Sequence, residues 1–228
     1  MNLPKPRLPK RTLEKATVVG VHHTTRTNSR VNRNVARVIE ILRELKKRGD
    51  TKVGIECLED TPQARNNPPR RYFHALYLRA KRMGIQLVEV EDNKVFHLKT
   101  LVETLSAPLR AKTHLTVGAK YFGEFTQKEL HEIINALNYF RSIRMAEIAK
   151  AEKLNTFIVG GKHAMQLNTP SYQVVFLEKH PDMYHARPHT LEDQRVREKR
   201  YFEKWERLIH EMYQASSVKS NRARRSQP

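Results

Sequence analysis

The sequence predicts an α/β fold, in which a mixed or mostly parallel central sheet is flanked by helices. Two patterns carry this prediction. Short apolar runs alternate with segments of helical periodicity, and the runs are continuously apolar, which is typical of strands buried on both faces. With 228 residues, the chain suits one large domain or two small ones. We therefore expect a sheet flanked by helices, with a long C-terminal helix and basic terminal arms.

The strands are predicted from short runs that are rich in valine, isoleucine or phenylalanine and bounded by polar residues or glycine. The first run has the sequence ATVVGV, and the last has the sequence YQVVFL. The predicted strands are, in chain order, 16–21, 52–57, 85–90, 115–118, 155–160 and 172–177.

The helices are predicted from apolar side chains that recur every three or four residues. Val35, Val38 and Leu42 belong to one such stripe, and Gly49 ends that helix. Thr126 and Glu129 have the spacing of a capping box at the start of the long central helix. The predicted helices are 31–45, 72–83, 95–105, 126–154 and 190–213.

The chain is strongly basic, with 43 Lys and Arg residues against 24 Asp and Glu residues, a net charge of +19. The segments 1–15 and 216–228 each carry a net charge of +4, and their composition predicts flexible basic arms. A single domain over 16–215 keeps the remaining +11. Such a charge indicates a polyanionic partner, and we expect contact with nucleic acid or a ribosome through the arms.

Two observations bear on location. No apolar run approaches the ~20 residues of a membrane helix, and no apolar segment of a secretory signal follows the basic start. Cys57 is the single cysteine and cannot form an intrachain disulfide. We therefore expect no membrane span and a reducing, cytoplasmic location. The oligomeric state is left open.

An acid-free stretch over 61–84 offers a candidate surface for nucleic acid or another anion. Aromatic residues at 72–73 stand among its cations and are suited to stacking on bases. The chain has no recognised nucleic-acid motif, and the alternative is a solvated basic face. The candidate cations are Arg65, Arg70, Arg71, Arg79, Lys81 and Arg82.

Polar side chains follow three of the predicted strands. His23 follows the first strand, Glu56 lies at the end of the second, and His163 follows the strand at 155–160. Ligands of α/β proteins bind beyond the carboxyl ends of the strands. Histidine and carboxylate groups serve as general bases or as ligands of a divalent metal. The alternative is that each is an ordinary solvated or capping side chain.

Arg144 is the fourth candidate. It lies seven residues after Leu137 and four before Ile148, so its spacing places it on the apolar stripe of the long central helix. A buried arginine needs a carboxylate partner or an anionic ligand. We expect Arg144 to orient Glu56 or to bind an anionic group, and Arg141 to lie at the margin of the stripe.

Four motifs in order make residues 16–168 resemble the TraB/Tiki superfamily, whose wider group includes ChaN-like and erythromycin-esterase-like proteins. The motifs are VGVHHTT with Ser29, VGIECL, the pair of arginines before Met145, and FIVGGKHA. They are similar to the family's opening G-T-A-H-V-S, its V-x-V-E-L strand, its arginine–methionine helix and its V-V-G-A-G-H turn.

The resemblance implies a hydrolase acting on a peptide, ester or amide bond. It maps His23, Glu56, Arg144 and His163 onto the family's polar positions, and makes His23, Glu56 and His163 ligands of Mn, Co or Zn. The substrate would be a small molecule or a peptide. The sequence departs from the family at Lys162, whose charge would repel a metal ion. The alternative function is a non-enzymatic basic protein associated with nucleic acid or the ribosome.

Overall fold

A computed structural model describes Leu8 and residues 15–21, 28–57, 76–106, 125–177 and 188–225, with only the backbone at 28–34, 104–106, 127, 188–194 and 215–225. It confirms the α/β fold: five parallel strands form one sheet flanked by helices, and a long helix lies at the carboxyl end. The chain divides into two compact units. The first unit is Met1–Glu91 with Ser142–Ala186, and the second unit is Asp92–Arg141 with Arg187–Pro228.

The described elements alternate between strand and helix, as the apolar runs predicted. In chain order they are β1 (Ala16–Val21), α1 (Asn28–Lys47), β2 (Lys52–Ile55), α2 (76–82), β3 (Gln86–Glu89), α3 (Asn93–Ser106), α4 (Gln127–Ala151), β4 (Thr156–Gly160), α5 (Gly161–Gln166), β5 (Tyr172–Phe176) and α6 (Pro188–Arg225).

The sheet lies in the first unit and has the strand order β3-β2-β4-β1-β5. All its pairs are parallel, so the strands end together at one edge, here named the carboxyl edge. The register there places Val21 beside Gly160, and Ile55 beside Ile158. The strands begin together at the opposite edge, here named the amino edge.

Both faces of the sheet are buried, which explains the continuously apolar strands. Successive side chains of a strand face opposite sides, so neighbours enter different clusters. Val19 and Ile158 pack in the cluster that contains Ile41 of α1. Val18 and Phe157 pack on the other side, in the cluster that contains residues 145–149 of α4.

Three helices of the first unit end in the same backbone motif directly before a strand. After α4, Leu154 N–H donates to Ala149 O at 2.9 Å, and Lys153 N–H donates to Lys150 O at 3.0 Å, the two bonds of a Schellman cap. Gly49 after α1 and Gly84 after α2 occupy the corresponding position with φ of 84° and 69°. Lys153 adopts φ of 53° there without being glycine.

The second unit is helical where it is described, and its cluster is rich in aromatic rings. Phe140 stacks on Phe202 with ring centroids 5.6 Å apart, and Phe125 meets Trp205 edge-on at 5.3 Å. Tyr213 of α6 donates to Asp92 Oδ2 at 3.1 Å, just before α3. Trp205 therefore packs within the unit.

Helix α4 belongs to both units and buries a different face in each. Leu137 and Phe140 in its first part pack in the cluster of the second unit, whereas Met145 and Ala149 in its last part pack in the first unit. At 100° per residue these two pairs point in different directions. The apolar stripe was predicted to run along one face of the whole helix. In the structure, the buried face changes after Phe140.

Several sequence predictions differ in detail from the structure. Helix α6 extends to Arg225, past the predicted end at Tyr213, and so includes most of the segment that we predicted as a flexible tail. Leu8 of the predicted arm is buried in the core cluster. Its N–H bonds to Glu44 and its carbonyl accepts from Arg48 at 3.1 Å.

The remaining predictions divide into confirmed and untested. The capping box is confirmed, because Thr126 N–H donates to Glu129 Oε2 at 2.9 Å and Glu129 N–H donates to Thr126 Oγ1 at 3.3 Å. The strand predicted at 115–118 lies outside the described residues. The domain boundaries at 16 and 215 stay a prediction. Within the described part of the chain, every helix is too short or too polar to cross a bilayer.

Candidate functional site

The candidate site lies at the carboxyl edge of the first unit, where β4 passes directly into α5. Gly160 ends the strand and caps the helix, so no loop separates them. Helix α5 lies against β1, since a Cβ on Gly20 would come within 2.7 Å of Ala164 Cβ. Because Gly20 has no side chain, the helix can pack closely against the strand, and that helix carries His163 to the edge.

Glu56 reaches the same point from the neighbouring strand. It follows β2 directly, and its N–H donates to Ile158 O of β4 at 3.0 Å. Its side chain turns towards β4 as well, where Oε2 accepts the N–H of Gly160. Glu56 is buried, with 6% of the residue exposed. A backbone donor thus holds one carboxylate oxygen in place and leaves Oε1 on the side of His163.

The imidazole of His163 is held by a serine on α4. His163 Nδ1 lies 2.7 Å from Ser142 Oγ, and the Ser142 hydroxyl also bonds to Gln166 Oε1, one turn along α5. All three residues are buried, Ser142 most of all at 1% exposed. The two helices are thereby connected by side chains that satisfy one another's hydrogen bonds, as buried polar groups require.

These contacts favour one tautomer of a neutral His163. A hydroxyl has a single proton, and Ser142 donates it to Gln166 Oε1. We therefore infer that Ser142 Oγ accepts from Nδ1–H of His163. In the neutral imidazole the lone pair then lies on Nε2. Nε2 faces Glu56 Oε1 at 3.9 Å, and side-chain exposures of 7% and 8% put both groups almost out of solvent.

The arrangement has the order serine, histidine, carboxylate that nucleophilic hydrolases use. Its geometry does not suit the roles that these residues have in nucleophilic hydrolases, where the serine attacks the substrate. The Ser142 hydroxyl is the most buried group of the set, so a substrate does not reach it in this conformation. The pair of His163 Nε2 and Glu56 Oε1 suits general-base chemistry, in which Ser142 orients the imidazole.

Arg144 is less buried than its spacing on the helix predicted. Its side chain is 32% exposed and pairs with Glu147 on the next turn of α4. The prediction that Arg144 lies on the buried face is wrong, because the buried face of α4 has rotated to Ser142 and Met145 at this point. The roles of Arg141 and Arg144 are exchanged: Arg141 is 5% exposed and donates to Asn138 Oδ1 at 3.3 Å.

Some of the other predicted site residues are exposed, and the rest lie outside the residues that the structure describes. Arg79, Lys81 and Arg82 are exposed in and around the last turn of α2. His23, Arg65, Arg70 and Arg71 lie outside the described residues. Of the four positions mapped from the resemblance, the structure thus brings Glu56 and His163 together and places Arg144 on the surface of α4.

The resemblance implied a metal held by His23, Glu56 and His163. Within the described ranges, no three His, Cys, Asp or Glu side chains are placed to share a metal ion. His163 and Glu56 supply two donors, and each already has a hydrogen bond, to Ser142 and to Gly160. Catalytic zinc sites use three protein ligands, so this described pair does not by itself fit the group.

Ser142 and Gln166 belong to the site but were not predicted from the sequence. Ser142 lies between the two arginines that drew attention to α4, and it occupies the second buried face of that helix. Gln166 lies three residues after His163, a spacing that shares one face of a helix. Treating 161–166 as a helix rather than a turn would have indicated Gln166.

No family model matches this chain, and neither a curated protein nor a solved structure is significantly similar to it.

Proposed function

We propose that this protein is a hydrolase of peptide, ester or amide bonds, in which His163 and Glu56 activate a water molecule. The main support is the 3.9 Å between His163 Nε2 and Glu56 Oε1 at the carboxyl edge. That separation is too long for a direct hydrogen bond, yet one water can bond to both atoms at about 2.8 Å. The carboxyl edge is also where α/β proteins bind ligands.

In this proposal His163 is the general base. Nε2 takes a proton from the water as its oxygen adds to the substrate carbonyl carbon. When the tetrahedral adduct collapses, the bond between that carbon and the leaving group breaks, and the imidazolium gives its proton to the leaving group. The Glu56 carboxylate stabilises the imidazolium, and a positioned base of this kind contributes about 10²–10⁴-fold in rate. The TraB/Tiki resemblance supports the same two roles and adds His23 as a third group of the site.

Ser142 is a positioning residue in this scheme. It accepts from Nδ1–H of His163 and so keeps the lone pair on Nε2, where the water is activated. Losing it frees the other tautomer, so Ser142→Ala should lower kcat about tenfold or more, with little change in KM and a shifted pH profile.

The test uses the full chain with p-nitrophenyl acetate as a small ester and a fluorogenic peptide mixture as the second substrate. We expect His163→Ala to reduce turnover by about 10²-fold or more, and Glu56→Gln to reduce it less. Exogenous imidazole should restore part of the His163→Ala rate. His131→Ala, an exposed histidine of the second unit, is the matched control.

Two outcomes would overturn the hydrolase. One is no turnover of either substrate by the wild-type protein. The other is equal turnover by wild type and His163→Ala at unchanged melting temperature. If the network only supports the fold, the variants will lower the melting temperature with no imidazole-dependent rate to recover. Assay of bound Mn, Co and Zn, with and without EDTA, tests the metal that the resemblance implies.

We also propose binding of nucleic acid or a ribosomal particle, as a second candidate function. The supporting observation is that Arg79, Lys81 and Arg82 are all exposed around the end of α2. Replacing them together with Gln should lower the salt dependence of oligonucleotide binding by about 0.7 in log–log slope for each lost contact. Binding that is absent at low salt would end this proposal. The single cysteine supports a reducing, cytoplasmic location.

A further inference from the structure

We infer that the amino edge of the sheet carries a second site, which binds a phosphorylated small molecule of mononucleotide size. A cavity of about 560 Å³ lies there, within the size range of small-ligand sites. It is lined at the starts of β1, β4 and β5 by Ala16, Thr156 and Tyr172. The inference does not depend on the hydrolase, whose groups lie at the opposite, carboxyl edge of the sheet.

The cavity has an apolar and a polar part. Leu8, Leu45 and Leu154 line it with aliphatic surface, and the ring of Tyr172 is half-buried beside them. Ser171 and Asn155 add polar groups at the exposed rim. A ligand with a flat or apolar body and a polar end suits such a lining better than a bare ion does.

Three lysines give the cavity its charge. Lys15, Lys150 and Lys153 line it and, of the residues that the structure describes, none pairs with them in an ion pair. The other charges of the lining are engaged. Arg48 pairs with Glu44, and Asp50 accepts from Asn155 Nδ2 at 3.2 Å. Three ammonium groups against one carboxylate leave an excess of two positive charges, which matches a phosphate monoester dianion.

A lysine at the end of a helix commonly donates hydrogen bonds to the last carbonyl groups of that helix. Here the backbone already does so, because Leu154 N–H and Lys153 N–H bond to the carbonyls of Ala149 and Lys150. The ammonium groups of Lys150 and Lys153 are therefore not required as caps. This leaves the cavity as the feature that both side chains share.

The backbone of Lys153 provides a second argument. Its φ of 53° lies in the left-handed region, where the equivalent positions of α1 and α2 have glycine. A residue with a Cβ costs roughly 1 kcal/mol there relative to glycine. Lys153 has this conformational cost and lines a basic cavity. Because strained backbone positions cluster at ligand sites, we infer that its ammonium group binds a ligand.

The hydroxyl of Tyr172 supports the phosphate end of the ligand. Tyr172 lines the cavity, and a tyrosine hydroxyl is protonated at neutral pH and can donate to an anion. Burial, and secondly the charge of Glu147, raise the pKa of Tyr172 above its usual value. Of the described residues, the acids near this edge are Glu147, which pairs with Arg144, Glu44, which pairs with Arg48, Glu152, which pairs with Lys52, and Asp50. The first two are thus neutralised by arginines.

The test is calorimetric titration of the full chain with AMP, with adenosine and inorganic phosphate as partial probes. We expect AMP to bind and adenosine to bind at least tenfold more weakly. Lys150→Gln with Lys153→Asn should weaken AMP binding about tenfold or more, because two charged donors are lost. Asparagine tolerates the left-handed conformation, so the second substitution keeps the helix end.

Lys128→Gln with Lys199→Gln is the matched control, since both lysines are exposed, lie outside the lining and remove the same charge. It should change AMP affinity less than twofold. The inference is overturned by absent AMP binding, by equal binding of adenosine, or by equal losses in the two double variants. Binding of a single-stranded oligonucleotide without AMP binding would instead assign the lysines to nucleic acid, and would also overturn it.

Discussion

The two edges of the sheet differ in the burial and hydrogen bonding of their polar side chains. At the carboxyl edge, Glu56, Ser142 and His163 are buried and hydrogen-bonded to one another or to backbone. At the amino edge, Lys150 and Lys153 are exposed around an open cavity of about 560 Å³. The first edge is suited to holding a reactive group in one geometry, and the second to attracting an anion by charge.

This difference has a cause in the elements that meet each edge. Helix α5 follows β4 without a loop and packs against Gly20, so side chains at the carboxyl edge are confined by close packing. At the amino edge, α1 and α4 end in capped turns before their strands, and those turns place long charged side chains in solvent. We therefore expect the carboxyl edge to be sensitive to shape and the amino edge to charge.

The largest effect is expected from Gly20→Ala. The added Cβ would lie 2.7 Å from Ala164 Cβ and 2.8 Å from Phe176 Cδ1, so α5 or β5 must move. Overpacking of this kind costs about 1–3 kcal/mol, and it should also shift the NMR signals of the His163 imidazole. Chemical denaturation measures the first effect.

Gly84→Ala is the control for this substitution. Its Cβ would meet nothing within 4 Å, and only the φ of 69° opposes it, so it should cost about 1 kcal/mol without altering the imidazole signals. If the NMR signals of the His163 imidazole are unchanged in Gly20→Ala, the site does not depend on this packing.

Lys153→Gly is expected to act in opposite directions on stability and binding. Glycine relieves the left-handed backbone at φ of 53°, so the free energy of unfolding should rise by up to about 1 kcal/mol. The lost ammonium should weaken AMP binding. A thermal melt and a titration on the same sample measure both. A variant that is less stable than wild type would show that the Lys153 side chain contributes packing or pairing instead.

The smallest effect concerns alkaline pH. The pKa of Tyr172 is raised in the folded protein, by burial first and by Glu147 second, so the folded state holds this proton more tightly than the unfolded state. The resulting stability is present below the unfolded pKa of about 10 and is lost as the pH rises through the folded pKa. Tyr172→Phe should flatten this part of the pH profile, and an unchanged profile would contradict it.

Much of the first unit followed from local pattern. The apolar runs at 16–21 and 172–177 became β1 and β5, and Gly49 and Gly84 ended their helices because few other residues adopt a positive φ there. Strand ends alone placed Glu56 and His163, together with His23, at the carboxyl edge, since parallel strands finish at one edge. Neither α5 nor Ser142 was expected, because a six-residue helix has too short a pattern and α4 changes face.

The sequence by itself determined the alternation of strands and helices, the capping of their ends and two of the groups at the carboxyl edge. These depend on residues close together in the chain. Only the tertiary structure decided that the Arg144 side chain stays 32% exposed while Arg141 and Ser142 are buried, because the two parts of α4 bury different faces. It also decided that Lys15 lines the same cavity as Lys150 and Lys153, far from it in the sequence, since the strand order places the start of β1 beside the start of β4.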